Sequence, residues 1–404
     1  MFLADAIAAS PLRVGVAVAD ITPRSGNTHD RLFARVLLLR TRDASLALVT
    51  SDLRRLQSTA LVDRIRRDLR IEHTVLSSSH NASGPIFGPG NADSNWAAEV
   101  EKKIFNTVRD ANDHLFSADI SWGRGSLLGA HNIRIPQEDG TVRERWFNPE
   151  EDGTAPVDPS VTVIRVDQEA GSPKAVLVHY ACEPVGLTAE DRAISADFPG
   201  AVVRYVEREL GGNVTCLFAQ GGAANIYPYR SRLSGAAAFA EIDRLGQRIG
   251  REAVRVARSI KPAEADTDLQ VHQASLTFDG RWDESKRLEL GVKTVLLNKA
   301  LALVAVPAEM FVEFQLALSA KSPAATTVLL GSAFSSGKSW AGYVPTITAA
   351  VQGGFGASYG TDIEIGAGEA LVNHGVVQIY RLLGQLDDLP RGRLQVEVPD
   401  LVSP

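Results

Sequence analysis

Residues 214–228 read VTCLFAQGGAANIYP. The apolar run 214–219 has the composition of a strand buried on both faces, as in a sheet covered by helices. It breaks at Gly221-Gly222, and the turn delivers Asn225 and Tyr227 just beyond the strand end. Three other stretches repeat this grammar. The run 74–78 leads into Ser79-His80-Asn81-Ala82-Ser83-Gly84-Pro85, the run 176–181 into Cys182-Glu183-Pro184, and the run 301–306 into Pro307-Ala308-Glu309. In open α/β sheets, ligands bind beyond the carboxyl ends of strands. If these four strands share a sheet and a direction, their ends gather His80, Glu183, Asn225 and Glu309, a constellation suited to metal or acid–base work.

The same alternation of strand and helix patterns extends over most of the chain. Strands are predicted at 12–19, 34–40, 45–50, 74–78, 161–166, 175–181, 214–219, 269–278, 293–306 and 326–331. Ser58 is placed to cap a helix bearing Leu61, Val62, Ile65 and Leu69 on one face. Further helices are predicted at 94–115, after a cap at Asp197, and at 236–260, 310–320 and 369–383. Residues 116–160 read as an irregular polar insertion of the kind that forms a binding loop or lid. The pattern predicts an α/β fold with a mixed β-sheet flanked by helices. No Pro/Gly/Ser linker divides it, so a single domain over 1–404, with its core at about 12–385, is expected.

Composition narrows the function classes. The chain has 404 residues and a formal net charge of −6, without the basic footprint that nucleic-acid binding needs. No apolar run approaches the roughly 18 residues of a transmembrane helix. Two cysteines, Cys182 and Cys216, cannot staple a chain of this size, and the start MFLADAIAAS lacks a basic region before its apolar stretch. A cytoplasmic protein acting on a small-molecule substrate is the expectation. Cys182 has no nucleophile motif around it, and reads as a buried thiol. Gly331-Ser-Ala-Phe-Ser-Ser-Gly337-Lys338-Ser339 imitates a phosphate loop with one residue too many between its glycines, and no helix is predicted to open after it.

In order along the chain, VGVAVADITP (14–23), Ser51-Asp52-Leu53, SHNASGP (79–85), Val157-Asp158-Pro159, YACEP (180–184), ISADFPG (194–200), FAQGGAANIYP (218–228), VPAE (306–309) and GYVP (342–345) together resemble the neutral/alkaline non-lysosomal ceramidase family. The resemblance covers roughly residues 12–385. It implies the family's catalytic-type domain without its C-terminal immunoglobulin-like domain. In that family a zinc ion held by two His, one Glu and one Tyr activates water to cleave the amide of an N-acylated sphingoid base. By position the resemblance implies His80, Glu309 and Tyr343 as ligands. The second ligand His falls on Glu183, and a further His of the family falls on Ala82. The family's Gly-Asp reads Ala224-Asn225, and the residue that is Ser in ceramidases is Tyr227.

These departures fall in the site. A His80/Glu183/Glu309/Tyr343 set remains able to hold a divalent ion, zinc by resemblance, with its oxygen-rich donors also suiting manganese, iron or magnesium. Asn225, Arg134 or a backbone N–H near Gly221-Gly222 is a candidate to stabilise an oxyanion, and Asp52 and Asp197 are candidate outer carboxylates. Loss of the His at Ala82 removes a proton carrier, and Tyr227 narrows the pocket. The expectation is a metal-dependent hydrolase cleaving an amide or ester of a small substrate rather than a ceramide. The alternatives are a metal-free enzyme using Glu183 and Glu309 as an acid–base pair, or a binding relative without catalysis.

Overall fold

The structure is a computed structural model that describes residues 12–24, 26–87, 94–154, 156–169, 172–187, 191, 193–261 and 267–386. The expected N-terminal character and the tail after Pro390 lie outside these residues.

The strands form three larger mixed sheets rather than one. The first runs in the order Ala333–Phe334, His73–Ser78, Ser45–Ser51, Phe33–Arg40, Arg13–Asp20, Phe116–Ser117. The second runs Thr215–Gln220, Ser172–Tyr180, Ser160–Glu169, Asp119–Ser126, and the third Leu269–Asp279, Arg287–Leu297, Leu301–Ala305, Thr326–Leu330. Each contains one parallel pair: Ser45–Ser51 with His73–Ser78, Ser172–Tyr180 with Thr215–Gln220, and Leu301–Ala305 with Thr326–Leu330.

Period-2 alternation explains how the sheets assemble. Leu37, Leu39, Leu46 and Leu48 of the first sheet, Ile164, Leu177 and Leu217 of the second, and Leu297, Leu303 and Val328 of the third meet in one central apolar core. The intervening residues Val36, Leu38, Ala47 and Val49 face outward, onto Leu61 and Ile65 of the helix Thr59–Leu69 and Ile104 and Val108 of Ser94–Asp113. The helices Asp197–Leu210 and Gly235–Ser259 cover the second sheet, and Val312–Lys321 and Ala367–Leu382 the third. Strands buried on both faces read as unbroken apolar runs, as the sequence displays.

Two expectations change. The run 293–306 is two antiparallel strands, Arg287–Leu297 and Leu301–Ala305, joined at Asn298 and Lys299, both left-handed with φ of 51° and 54°. That pair of positive φ values is the signature of a tight hairpin turn whose twist suits the flanking strands. The insertion 116–160 is less irregular than expected. Asp119–Ser126 pairs along Ser160–Glu169, and the short strands Ala130–Asn132, Arg134–Pro136 and Val142–Glu144 follow. Glycines and charges in this stretch mask the strand period. The pseudo phosphate loop opens no helix; its Ala333–Phe334 joins the edge of the first sheet beside His73–Ser78. Cys182 and Cys216 are both free and buried, and burial pushes both thiols up.

Candidate active site

The ends of one strand from each sheet come together, although the strands do not share a sheet. His80 follows His73–Ser78, Glu183 follows Ser172–Tyr180, and Glu309 follows Leu301–Ala305. Each loop is pinned by main-chain bonds. Ser79 N donates to Ser51 O at 2.9 Å and Ala82 N to Pro184 O at 3.1 Å, Glu183 N to Ile226 O at 2.8 Å, and Glu309 N to Gly342 O at 2.9 Å. His80 itself is left-handed at φ 59°, a costly conformation for a non-glycine residue, of the kind that clusters at functional sites. Gly84 turns the chain where an added Cβ would stand 2.9 Å from Asp52 O.

The His80 ring lies between two buried carboxylates. Its Nδ1 is hydrogen-bonded to Glu183 Oε2 at 2.7 Å, and its Nε2 is 2.9 Å from Glu309 Oε1. Trp340 Nε1 donates to the same Glu309 oxygen at 3.1 Å. Burial works against a charged imidazole, but the Glu309 and Glu183 charges and their bonds outweigh it and push His80 up to about 10. The two carboxyls are driven apart. Burial raises Glu183, while at Glu309 burial is outweighed by the His80 charge and the bonds from His80 and Trp340, so that carboxyl is lowered.

Tyr343 is the parallel register partner of Glu309 and presents its ring edge-on to His80, with centroids 6.5 Å apart. Gly356 and Gly360 make room for that ring, for a Cβ at either would lie within 3.3 Å of it. Tyr343 and Tyr227 share a side-chain hydrogen bond, and burial raises both phenols. Tyr227 is braced by Trp146 from the insertion, edge to face at 5.2 Å. These groups open on a cavity of about 480 Å³ lined by Arg54, His80, Ala82, Glu183, Val185, Leu187, Tyr227, Arg232, Tyr343 and Phe355.

The remaining sequence candidates fall elsewhere. Asn225 is spent on structure: its Oδ1 accepts from Val312 N at 2.9 Å and its Nδ2 donates to Glu313 Oε2 at 2.9 Å. Gly221 N donates to Tyr180 O and Gly222 N to Gln315 Oε1, so neither amide is left for an oxyanion. Arg134 donates to Phe355 O and Ala349 O and stacks over Phe311, which makes it a brace for the segment carrying Phe355 rather than a wall of the cavity. Asp52 pairs with Arg35 at 3.1 Å, and Asp197 accepts from Gly186 N and Phe198 N at a helix start. Arg54, Arg232 and Phe355 escaped the sequence reading. Arg54 was the one within reach, since it directly follows the Ser51-Asp52-Leu53 segment.

No family model and no curated protein matches this chain. Among solved structures, the neutral ceramidase from Pseudomonas aeruginosa superposes with a TM-score of 0.74 over 94% of this chain and 76% of its own, at 16% sequence identity. This chain has the neutral ceramidase fold. A ceramidase structure complexed with C2 matches over 93% of this chain and 76% of its own, with the same TM-score of 0.74 and 16% identity.

The zinc that the resemblance implies can be tested against the donors present. Among the described residues no three His, Cys, Asp or Glu side chains converge as a metal group. The physical reason is that Glu183 and Glu309 take opposite nitrogens of one ring, so the expected four-donor set does not form around Glu183. What remains is the Nε2 edge of His80, the Glu309 carboxylate beside it and the Tyr343 phenol on the paired strand. Imidazole, carboxylate and phenol are donor types that a divalent ion takes, and in this structure His80 Nε2 and Glu309 Oε1 lie 2.9 Å apart, bonded to each other. Glu183 sits on Nδ1, where a carboxylate would orient the ring of a metal-binding histidine.

Proposed function

We propose that the protein is a metal-dependent hydrolase cleaving an amide or ester bond of a small substrate in the His80 cavity. The observation that carries this reading is the carboxylate on His80 Nδ1, which sets the ring so that Nε2 faces Glu309. His80, Glu309 and Tyr343 would hold the ion, zinc by resemblance; bound there, it supplies Lewis acidity and a water of lowered pKa. Glu183 accepts the Nδ1 proton and reaches the cavity wall, where it is placed to move a proton to a leaving group. Trp340 keeps Glu309 oriented. The Tyr227 hydroxyl, on the wall, is the donor nearest in kind to an oxyanion stabiliser now that Asn225 is committed elsewhere. Tyr227 in place of a serine also fills space, which favours a small acyl group over a long chain.

A second reading has its own observation. Two carboxyls on opposite sides of one histidine, with Glu183 raised and Glu309 lowered, match a metal-free acid–base pair. Turnover of a panel of short N-acyl amides and esters, measured with the metal-stripped and the zinc-loaded protein, separates the two. Release of acid only when metal is present supports the first; turnover indifferent to metal overturns it in favour of the second.

A further inference from the structure

The cavity carries two cations that the hydrolytic reading does not use. Arg54 and Arg232 both line it, from the segment after Ser45–Ser51 and from the turn before the helix Gly235–Ser259. Both side chains are exposed to solvent on the cavity side. Among the described residues no carboxylate forms an ion pair with Arg54 or Arg232. Arg232 is nevertheless held in place. Its guanidinium carbon lies 3.8 Å above the Trp146 ring, its backbone is left-handed at φ 58°, and its N–H donates to Val185 O at 3.3 Å. Stacking occupies the face of a guanidinium and leaves its N–H edge for an acceptor in the ring plane.

The same cavity wall is apolar at Val185, Leu187 and Phe355. A neutral lipid amide offers neither arginine a partner.

We propose that the substrate carries an oxyanion, a carboxylate or a phosphate-type group, which Arg54 and Arg232 bind while its apolar middle crosses Val185, Leu187 and Phe355 and its acyl bond reaches His80. This deepens the hydrolytic reading and rests on the same cavity, as an acid-bearing N-acyl compound fits both ends. Arginine forks pair with planar oxyanions bidentately, so the anion would select and orient the substrate.

The test is calorimetric binding to the full-length protein of three probes that differ only in one end: N-hexanoylglycine, its phosphonate analogue N-hexanoyl-aminomethylphosphonate, and the neutral N-hexanoylglycinamide. At least one acid should bind ten-fold or more tightly than the amide, less tightly in high salt. An Arg54→Gln, Arg232→Gln variant with unchanged Tm should bind all three alike. The ratio of carboxylate to phosphonate affinity identifies the anion. Equal binding of the three probes, no binding of any, or a preference that survives the double variant overturns the proposal. Binding is read without turnover, so a failure of hydrolysis with retained anion preference would strike the catalytic reading alone.

Discussion

His80 Nδ1 stands 2.7 Å from Glu183 Oε2, and this bond decides which edge of the ring faces Glu309. A carboxylate in that position typically strengthens metal binding 10–100-fold. Elemental mass spectrometry should find about one divalent ion per wild-type chain and none in the His80→Ala, Glu309→Gln double variant. Glu183→Gln should keep the site but weaken zinc affinity by roughly that 10–100-fold factor, measured by chelator competition. No ion in the wild-type protein after reconstitution would sink the metal reading and turn attention to Glu183 and Glu309 as the working pair.

Proton and metal compete for the same ring. With His80 pushed up to about 10, the metal-free protein holds it as a cation at neutral pH. An unfolded histidine takes up its proton only near pH 6.5. The folded state therefore binds the proton more tightly, and the stabilisation is fully present below about pH 6.5 and lost as pH rises through about 10. Thermal melts of metal-free wild type should fall over that window, with a shallower fall in His80→Gln. Metal affinity should run the other way, rising with pH across the same window because binding at Nε2 must displace a proton. A wild-type melting curve no steeper in pH than that of His80→Gln contradicts the charged-ring assignment.

Much of this arrangement was legible in the sequence, for identifiable reasons. The apolar runs at 74–78, 176–181, 214–219 and 301–306 mark strands because each is buried on both faces. The polar residues after them mark the site because strand ends are where α/β folds bind ligands. What the sequence hid depended on contacts distant in the chain. Nothing near Asn225 announces that Glu313 and Val312 consume both ends of its amide, and nothing near Glu183 shows that it meets Nδ1 rather than Nε2. Arg232 becomes a cavity residue only through Trp146, 86 positions earlier in the chain. The assignment of the strands to three sheets likewise rests on long-range pairing that periodicity does not encode.

Asn225 offers a clean separation of structure from catalysis. Asn225→Ala leaves the Val312 N–H and the Glu313 carboxyl, already raised by burial, without their partners. Each orphaned buried group costs about 1–3 kcal/mol. Denaturant melts should show a destabilisation of about 2–4 kcal/mol, with kcat of the remaining folded enzyme within a few-fold of wild type. Asn225→Asp should be worse still, because it sets a second carboxylate against Glu313. A large drop in kcat with unchanged stability would return Asn225 to the oxyanion role that its hydrogen bonds deny it.

Lys293 supplies the reverse experiment, a substitution expected to stabilise. Lys293 is 1% exposed, Nζ donates to Thr74 O at 2.9 Å, and among the described residues no carboxylate forms an ion pair with it. Burial, with the charge of Arg66 adding to it, brings the ammonium down to about 7. An unfolded lysine binds its proton up to about pH 10.4, so here the unfolded state holds the proton more tightly. The resulting penalty is absent above that pH, grows as pH falls, and is complete below about 7. Lys293→Met keeps a similar volume and removes the charge. The variant should melt several degrees above wild type at pH 6, and the gain should shrink steadily toward pH 10. A loss of stability at pH 6 would show that the bond to Thr74 outweighs the burial of the charge.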